Sequence, residues 1–414
     1  MLKRIAAALV LALFVANLAF AQTPIRSSNG TPSAAPPEDS TAEPMPVFPR
    51  DNGTGDRSAF DWSFSADYLL GWVRGNRLPP LITTSPAGTA QAAAGVLGQP
   101  GTTVLFGDDK AGGDVRSGFR LGMTALLDDE RGWSVNAGFF YLFDQSNSFS
   151  ANSPQGSPIL ARPFFNTVTG LPDSQLVAFP GLATGGVSGS FQNNNFAGFN
   201  LDIQEALVNT NNLRVQPLFG FRYLQFNDRL GVDTNEIAAG SNLVAPGTQI
   251  AASDRFTTRN AFYGADLGVR TEWFFDRLSV ELVGILAVGN LRRSVGISGL
   301  TQITAPGQTA EELAGGVLAL SSNSGVFKSN EWVVAPELGV TLGWYFTPNI
   351  QLRLGYTFLL LQDAARAGDQ VDQLVNPNLI PPAQAGASTS HPAFQLKTTD
   401  IWVQTLSLGM GIRF

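Results

Sequence analysis

From residue 60 the chain runs FDWSFSADYLLGW, and apolar or aromatic side chains take every even place: Phe60, Trp62, Phe64, Ala66, Tyr68, Leu70 and Trp72. The odd places open with Asp61, Ser63, Ser65 and Asp67 and turn apolar only at Leu69. A period of two held over this length predicts a β-strand with one greasy and one polar face. Nine further segments repeat the pattern, at about 115–127, 133–143, 196–208, 213–226, 260–273, 278–291, 331–344, 350–361 and 400–414. In the fifth strand Leu213, Val215, Phe219, Phe221 and Tyr223 oppose Arg214, Gln216 and Arg222. Pro217 lacks a ladder donor, so a bulge or weak pairing is expected there. In the last strand Gln404 is the one break in the apolar face.

The connections alternate too. Four pairs of strands are joined by hairpin-length turns, whereas the joins at roughly 74–114, 144–195, 227–259, 292–330 and 362–399 are long. Short and long joins alternating around an even number of strands predict an all-β fold: an antiparallel transmembrane β-barrel of about ten strands, twelve if a long loop adds a hairpin. Its long loops lie on one side and its short turns on the other. A soluble barrel would show the same alternation with the apolar face inward. Tryptophan placement favours lipid. Trp62, Trp133, Trp273 and Trp344 fall at the short-turn ends, and Trp72, Trp332 and Trp402 at the loop ends, as two interfacial belts require. Ten residues from Trp62 to Trp72 make ~33 Å of strand, or roughly 25 Å of height when tilted, which matches the apolar band of such barrels.

Composition narrows the setting. Charged residues make up 14% of the chain, against about 25% in ordinary domains. A net charge of −7 argues against a nucleic-acid partner, and the absence of cysteine excludes disulfides, thiol catalysis and Cys-ligated metals. MLKRIAAALVLALFVANLAFAQ has two cations, an apolar run and Ala19-Phe20-Ala21, the layout of a cleaved secretory signal peptide over residues 1–21. Residues 22–57, rich in Pro, Ser and Gly, form a flexible leader, and the barrel is expected over 58–414. The expected location is the cell outer membrane, with its lipid as a partner.

Several stretches resemble a known group. SADYLLGW after a Pro-rich leader, RSGFRLGMTALLDDERGWSVNAGFFYL, QEALVNTNNLRVQPLFGFRYLQFNDRL and the terminal Phe414 are similar to the beta-barrel porin family seven of planctomycete bacteria. The resemblance covers most of the chain beyond the leader. It implies an outer-membrane barrel with a porin-like role. A terminal aromatic also resembles the signal read by the barrel-assembly machinery, which makes Phe414 the expected contact with that partner. No defined site motif comes with the resemblance.

Ten strands fall between the eight whose interior is filled and the sixteen or more that leave a channel. The polar face supplies the candidate lumen-lining residues Asp67, Arg116, Arg120, Asp202, Arg222, Asp266, Arg270, Glu281, Glu337 and Arg353. Arg270 is near-diagonal to Glu281 in its hairpin, and Asp61 is expected to meet Arg413 where the barrel closes. Such charges form either a packed polar plug or a narrow charged passage; lumen glycines leave room beside the arginines or ease curvature. The loops carry enough apolar residues to fold back over the mouth, some are expected to extend the strands into extra hairpins, and TAEELAGGVLAL suits a short helix. Loop aspartates such as Asp108, Asp109, Asp228, Asp233, Asp369 and Asp372 suit a divalent cation or simple solvation, the blander reading. The single histidine, His391, lies beside Ser388 and Ser390, sequence neighbours that rarely make a catalytic pair, so no catalytic residue, metal or cofactor is assigned. The expected function is porin-like passage of small polar solutes or ions. The alternative is a closed barrel whose long loops do structural, adhesive or ligand-binding work.

Overall fold

A computed structural model of the chain describes residues 62–128, 132–239, 244–387 and 390–414. Ten antiparallel strands form a ring: β1 (Trp62–Val73), β2 (Arg116–Asp128), β3 (Trp133–Leu142), β4 (Ala183–Glu205), β5 (Leu213–Ala238), β6 (Gln249–Phe275), β7 (Leu278–Thr304), β8 (Gly325–Thr347), β9 (Ile350–Ala365) and β10 (Thr398–Arg413). Neighbours in the chain are neighbours in the ring. Closure pairs β1 with β10, from Ser63 opposite Arg413 to Val73 opposite Val403. The ring leaves no free edge, the condition for strands to cross hydrocarbon. The signal segment, the leader and Asp61 of the expected Asp61–Arg413 pair lie outside the described residues.

Along the span the outward side chains are apolar and remain 37–59% exposed at Phe64, Tyr68, Leu121, Phe139, Leu201, Phe221, Leu267 and Leu342. No protein core covers them, so lipid must. Gln404 lies at the height of Trp72 and accepts a hydrogen bond from the Tyr356 hydroxyl at 3.0 Å. Pro217 makes no bulge: the β5–β6 register is unbroken from Gln216–Arg270 to Leu218–Gly268. On its other side the β4 ladder stops at Leu218, and pairing resumes at Val215 with the short strand Val208–Asn209, so pairing is weak on that side alone.

Five strands overshoot the membrane. β4 to β8 run for 23, 26, 27, 27 and 23 residues, where roughly ten cross an outer membrane. Alternation continues upward, but its chemical sense inverts. In β5 the outward Phe219, Phe221 and Tyr223 give way to Gln225, Asn227 and Arg229, while the inward Arg214 and Arg222 give way to Leu224, Phe226, Leu230 and Val232. Below the change the outside is oily; above it the outside is water. Most of 227–259 and the first third of 292–330 are therefore strand rather than loop, and the connection after β7 shrinks to 305–324.

TAEELAGGVLAL forms no helix. Glu311–Ala314 instead pairs with Leu300–Ile303 of β7, whose edge is free above the point where β8 ends its pairing at Ile297–Gly325. An unpaired strand edge offers more hydrogen bonds than a four-residue helical turn interrupted by Gly315-Gly316. Likewise Gln145–Ser153 joins β4 beyond a register shift between Asn194 and Ala197. These extra strands join the wall above the membrane, and the ring itself stays at ten.

The tall wall is an arc whose apolar inner face is covered by a small sheet built from the loops. That sheet unites Ile82–Thr84, Thr103–Phe106, Leu160–Asn166, Leu171–Ala178 and Leu374–Val375. Wall residues Phe191, Leu230, Phe256 and Val295 share one buried core with loop residues Leu81, Phe164, Leu318 and Val375. Two buried ion pairs fasten it. Asp254 pairs with Arg162 and accepts the backbone N–H groups of Val317, Leu318 and Ala319 at 3.1, 3.1 and 2.7 Å. Asp228 binds Arg366 at 2.5 Å, with the Arg366 guanidinium stacked over Phe226.

Candidate functional site

Alternation aims every second wall residue into the lumen, and the lower half of the lumen is polar. It encloses a cavity of about 1250 Å³ that reaches the short-turn rim at Asn211, Asp276, Arg277 and Pro348. Seven of the ten expected lumen residues line it: Arg120, Asp202, Arg222, Arg270, Glu281, Glu337 and Arg353. Asp67 and Asp266 stand behind these, buried and ion-paired. Arg222 is the hub, donating through Nε to Asp266 at 2.9 Å and through Nη1 to Glu337 across the lumen. The Nε of Arg270 lies 3.6 Å from Glu281, as the hairpin geometry predicts, and that of Arg353 lies 3.8 Å from Asp67. Arg120 makes no ion pair among the described residues; both its terminal nitrogens reach the Thr357 hydroxyl at 3.2–3.3 Å. Signs are matched within the cavity, so its charge is largely spent on itself.

The lumen glycines make room for differing neighbours: Gly264 for the Phe262 ring, Gly411 for the stem of Arg353, and others for short polar side chains. A Cβ at Gly409 would lie 2.3 Å from the Asp67 carboxylate, and one at Gly220 would lie 2.3 Å from that of Asp202.

Above the cavity the lumen is closed. Leu69, Phe196, Leu224, Phe262, Ala287, Ala335, Leu359 and Val403 form a contiguous apolar cluster, joined by Phe140 and, a layer higher, by Val73, Leu142, Phe226 and Leu291. Its members come from every wall strand except β2, and Phe196, Phe226 and Phe262 are wholly buried. Phe196 packs against both Phe140 and Phe226 with ring centroids 5.6 Å apart. A dry layer of this kind, made of strand side chains, is a seal. The turn of the opening strand's inward series from polar to apolar at Leu69 was the sequence signal of this layer.

Arg116 is not in the polar cavity. It lies above the seal, bonded to Asn193 Oδ1 at 2.7 Å and to Gln145 Oε1 and the Gly112 carbonyl at 2.9 Å. It faces inward as expected, but it opens the β2 strand at the height where the wall turns apolar. The loop aspartates are shared out among separate partners: Asp228 to Arg366, Asp233 to Arg255, and Asp369 to Asn76 and Thr399. His391 lies 3.3 Å from Asp372, and Ser388 lies outside the described residues. Among the described residues no three His, Asp or Glu side chains gather to hold a metal.

A closed ring of lipid-facing strands with tall outer extensions and a charged lower lumen agrees with a family model that matches residues 62–414, described as Putative beta barrel porin-7 (BBP7). The chain belongs to that family. None of the curated proteins matches this BBP7 chain. Solved structures similar to it include the outer membrane protease OmpT from Escherichia coli, at 10% identity over 87% of this chain and 99% of that one, with a TM-score of 0.37. A major outer membrane protein from Thermus thermophilus matches at 14% identity over 85% and 99%, with a TM-score of 0.24. A FadL homologue from Pseudomonas aeruginosa matches at 6% identity over 86% and 90%, with a TM-score of 0.25. No residue role is carried over from any of them.

Proposed function

We propose that this BBP7 protein is a sealed outer-membrane barrel that holds a folded cap on the outer surface and conducts no hydrated ions at rest. The observation that carries this reading is the apolar layer across the lumen. It is built from the wall, so displacing the loops alone would not open it. The lumen charges below, Arg222, Asp266 and Glu337 among them, then serve as a fixed network that holds the strands in register. The cap is the working part, doing structural or ligand-binding work at the surface. Phe414 packs edge-on against Phe64 at the short-turn rim, with centroids 6.2 Å apart, and its exposure there supports a role as the signal read by assembly machinery.

Single-channel recording on the refolded, signal-free protein in a planar bilayer tests the reading. Silence from barrels whose folding is verified by heat-modifiable migration is the expected result. Reproducible current steps that scale with salt would overturn it and restore passive solute passage, with Arg120 and Arg353 as the cavity cations to vary first.

A further inference from the structure

The register of β5 to β8 sorts their outward side chains into rows. Tyr223, Tyr263, Asn290 and Trp332 form one row, at the outer edge of the lipid-facing band. The next row up holds Gln225, Ala261, Arg292 and Asn330, the next Asn227, Arg259, Ser294 and Lys328, and the next Arg229, Thr257, Gly296 and Val326. Three successive rows thus carry four cations and no carboxylate. With strands ~4.8 Å apart and rows ~7 Å apart, the four charges share a patch roughly 15 Å across. Arg229, Arg259, Arg292 and Lys328 are all exposed, and among the described residues none of them makes an ion pair. The first carboxylate on this face, Asp233, is already held by Arg255 at 2.5 Å, above the patch.

The patch sits on an aromatic base. Tyr223 and Tyr263 lie with ring centroids 5.0 Å apart, and the Arg292 guanidinium is 5.0 Å from the Tyr263 ring centroid. Tyrosine and tryptophan mark the depth where acyl chains meet headgroups, so the cations project at headgroup height. Unlike the lumen arginines Arg222, Arg270 and Arg353, which pair with carboxylates of the chain, these four need an anion from outside. Planar guanidinium groups suit bidentate pairing with phosphate oxygens.

We infer that the outward face of β5–β8 above the Tyr223–Tyr263–Trp332 row binds the phosphate-bearing headgroup of an outer-leaflet lipid. Arg259 and Arg292 grip the phosphate, and Arg229 and Lys328 flank it. The inference requires the barrel to sit in the membrane with its loops outward; it holds whether or not the lumen conducts.

The test places the full barrel in phosphatidylcholine nanodiscs doped with diphosphoryl lipid A, extracts it into detergent, and measures co-retained lipid A by mass spectrometry. Wild type is expected to retain it, and to retain its dephosphorylated form about tenfold less. The variant Arg229→Gln/Arg259→Gln/Arg292→Gln/Lys328→Gln is expected to lose about tenfold of the retention, and raised salt to reproduce that loss. Equal retention by folded variant and wild type, or equal retention of phosphorylated and dephosphorylated lipid, overturns the site. Displacement of the lipid by millimolar inorganic phosphate overturns the lipid as its ligand. Should the fourfold variant fail to fold, the comparison of the two lipids on the wild-type protein still decides.

Discussion

Arg222 carries the clearest consequence at the scale of single residues. Its guanidinium is the shared partner of Asp266, which has no exposed surface, and of Glu337 on the far wall. Removing one member of such a buried set leaves uncompensated charge, at a cost of about 3–5 kcal/mol. Arg222→Met is therefore expected to lower the denaturant midpoint of the refolded barrel markedly, whereas Arg222→Met/Asp266→Asn/Glu337→Gln recovers most of the loss. A second residue argument concerns pH. Burial holds the Glu236 carboxyl, high on β5 and outside the membrane, up at about 8. The unfolded chain sheds that proton above about pH 4.5, while the folded chain keeps it until about 8. The contribution is thus present below the unfolded value and is lost as pH rises toward 8. Its size is modest because the side chain keeps part of its surface in water. Amide protection along the tops of β5 and β6, with the intrinsic base-catalysed rate divided out, is expected to fall between about pH 4.5 and 8, and Glu236→Gln to remove that slope. Pairings within a hairpin, such as Arg270 with Glu281, were legible from spacing alone. The Arg222–Glu337 contact was not, because it spans the lumen between strands whose separation is set by ring closure.

At the scale of elements, period two located all ten strands to within a few residues wherever lipid lies outside. The upper parts of β4 to β8 were legible only as loops that extend the strands, without bounds, for a physical reason: outward apolar residues were the criterion, and above the bilayer the outward side meets water. Arg229, Asp233 and Asn235 look like loop composition until their inward partners Leu230, Val232 and Thr234 are read as the buried set. The descent of residues 315–320 toward the wall was equally hidden, because it depends on tertiary contacts with Asp254. Gly316 permits the approach, since a Cβ there would lie 2.3 Å from the Asp254 carboxylate and 2.6 Å from the Ser253 carbonyl. Gly316→Ala and Asp254→Ala are both expected to free the 305–324 connection while leaving the transmembrane ring intact. Limited proteolysis checks this: cleavage within that connection rises several-fold in either variant, and the protected barrel fragment is unchanged. Uniform loss of protection across the barrel would mean that the connection is part of the ring's own stability.

For the whole molecule the decisive relation is the vertical order of three layers: a charged cavity facing the short turns, an apolar seal, and a cap with its own hydrophobic core. A ten-strand ring is narrow enough for Phe196 and Phe262 of β4 and β6 to share one cluster with Leu69, Leu359 and Val403 of the opposite strands β1, β9 and β10, which a wider porin ring would prevent. The order makes a topological prediction that needs no current measurement. The chain has no cysteine, so single thiols report position without background. Ser65→Cys places a thiol in the cavity below the seal, and Val168→Cys places one at the exposed tip of the Leu160–Ala178 hairpin. In vesicles with the loops outward, a small membrane-impermeant thiol reagent added outside is expected to modify the Val168→Cys protein fully and leave the Ser65→Cys protein untouched. Detergent, which opens the short-turn side to the reagent, then renders both reactive. Modification of both at similar rates in intact vesicles would mean that a path wide enough for the reagent crosses Leu69, Leu224 and Phe262. Unreactivity of the Ser65→Cys protein even in detergent would instead mean that the cavity is closed on its lower side as well.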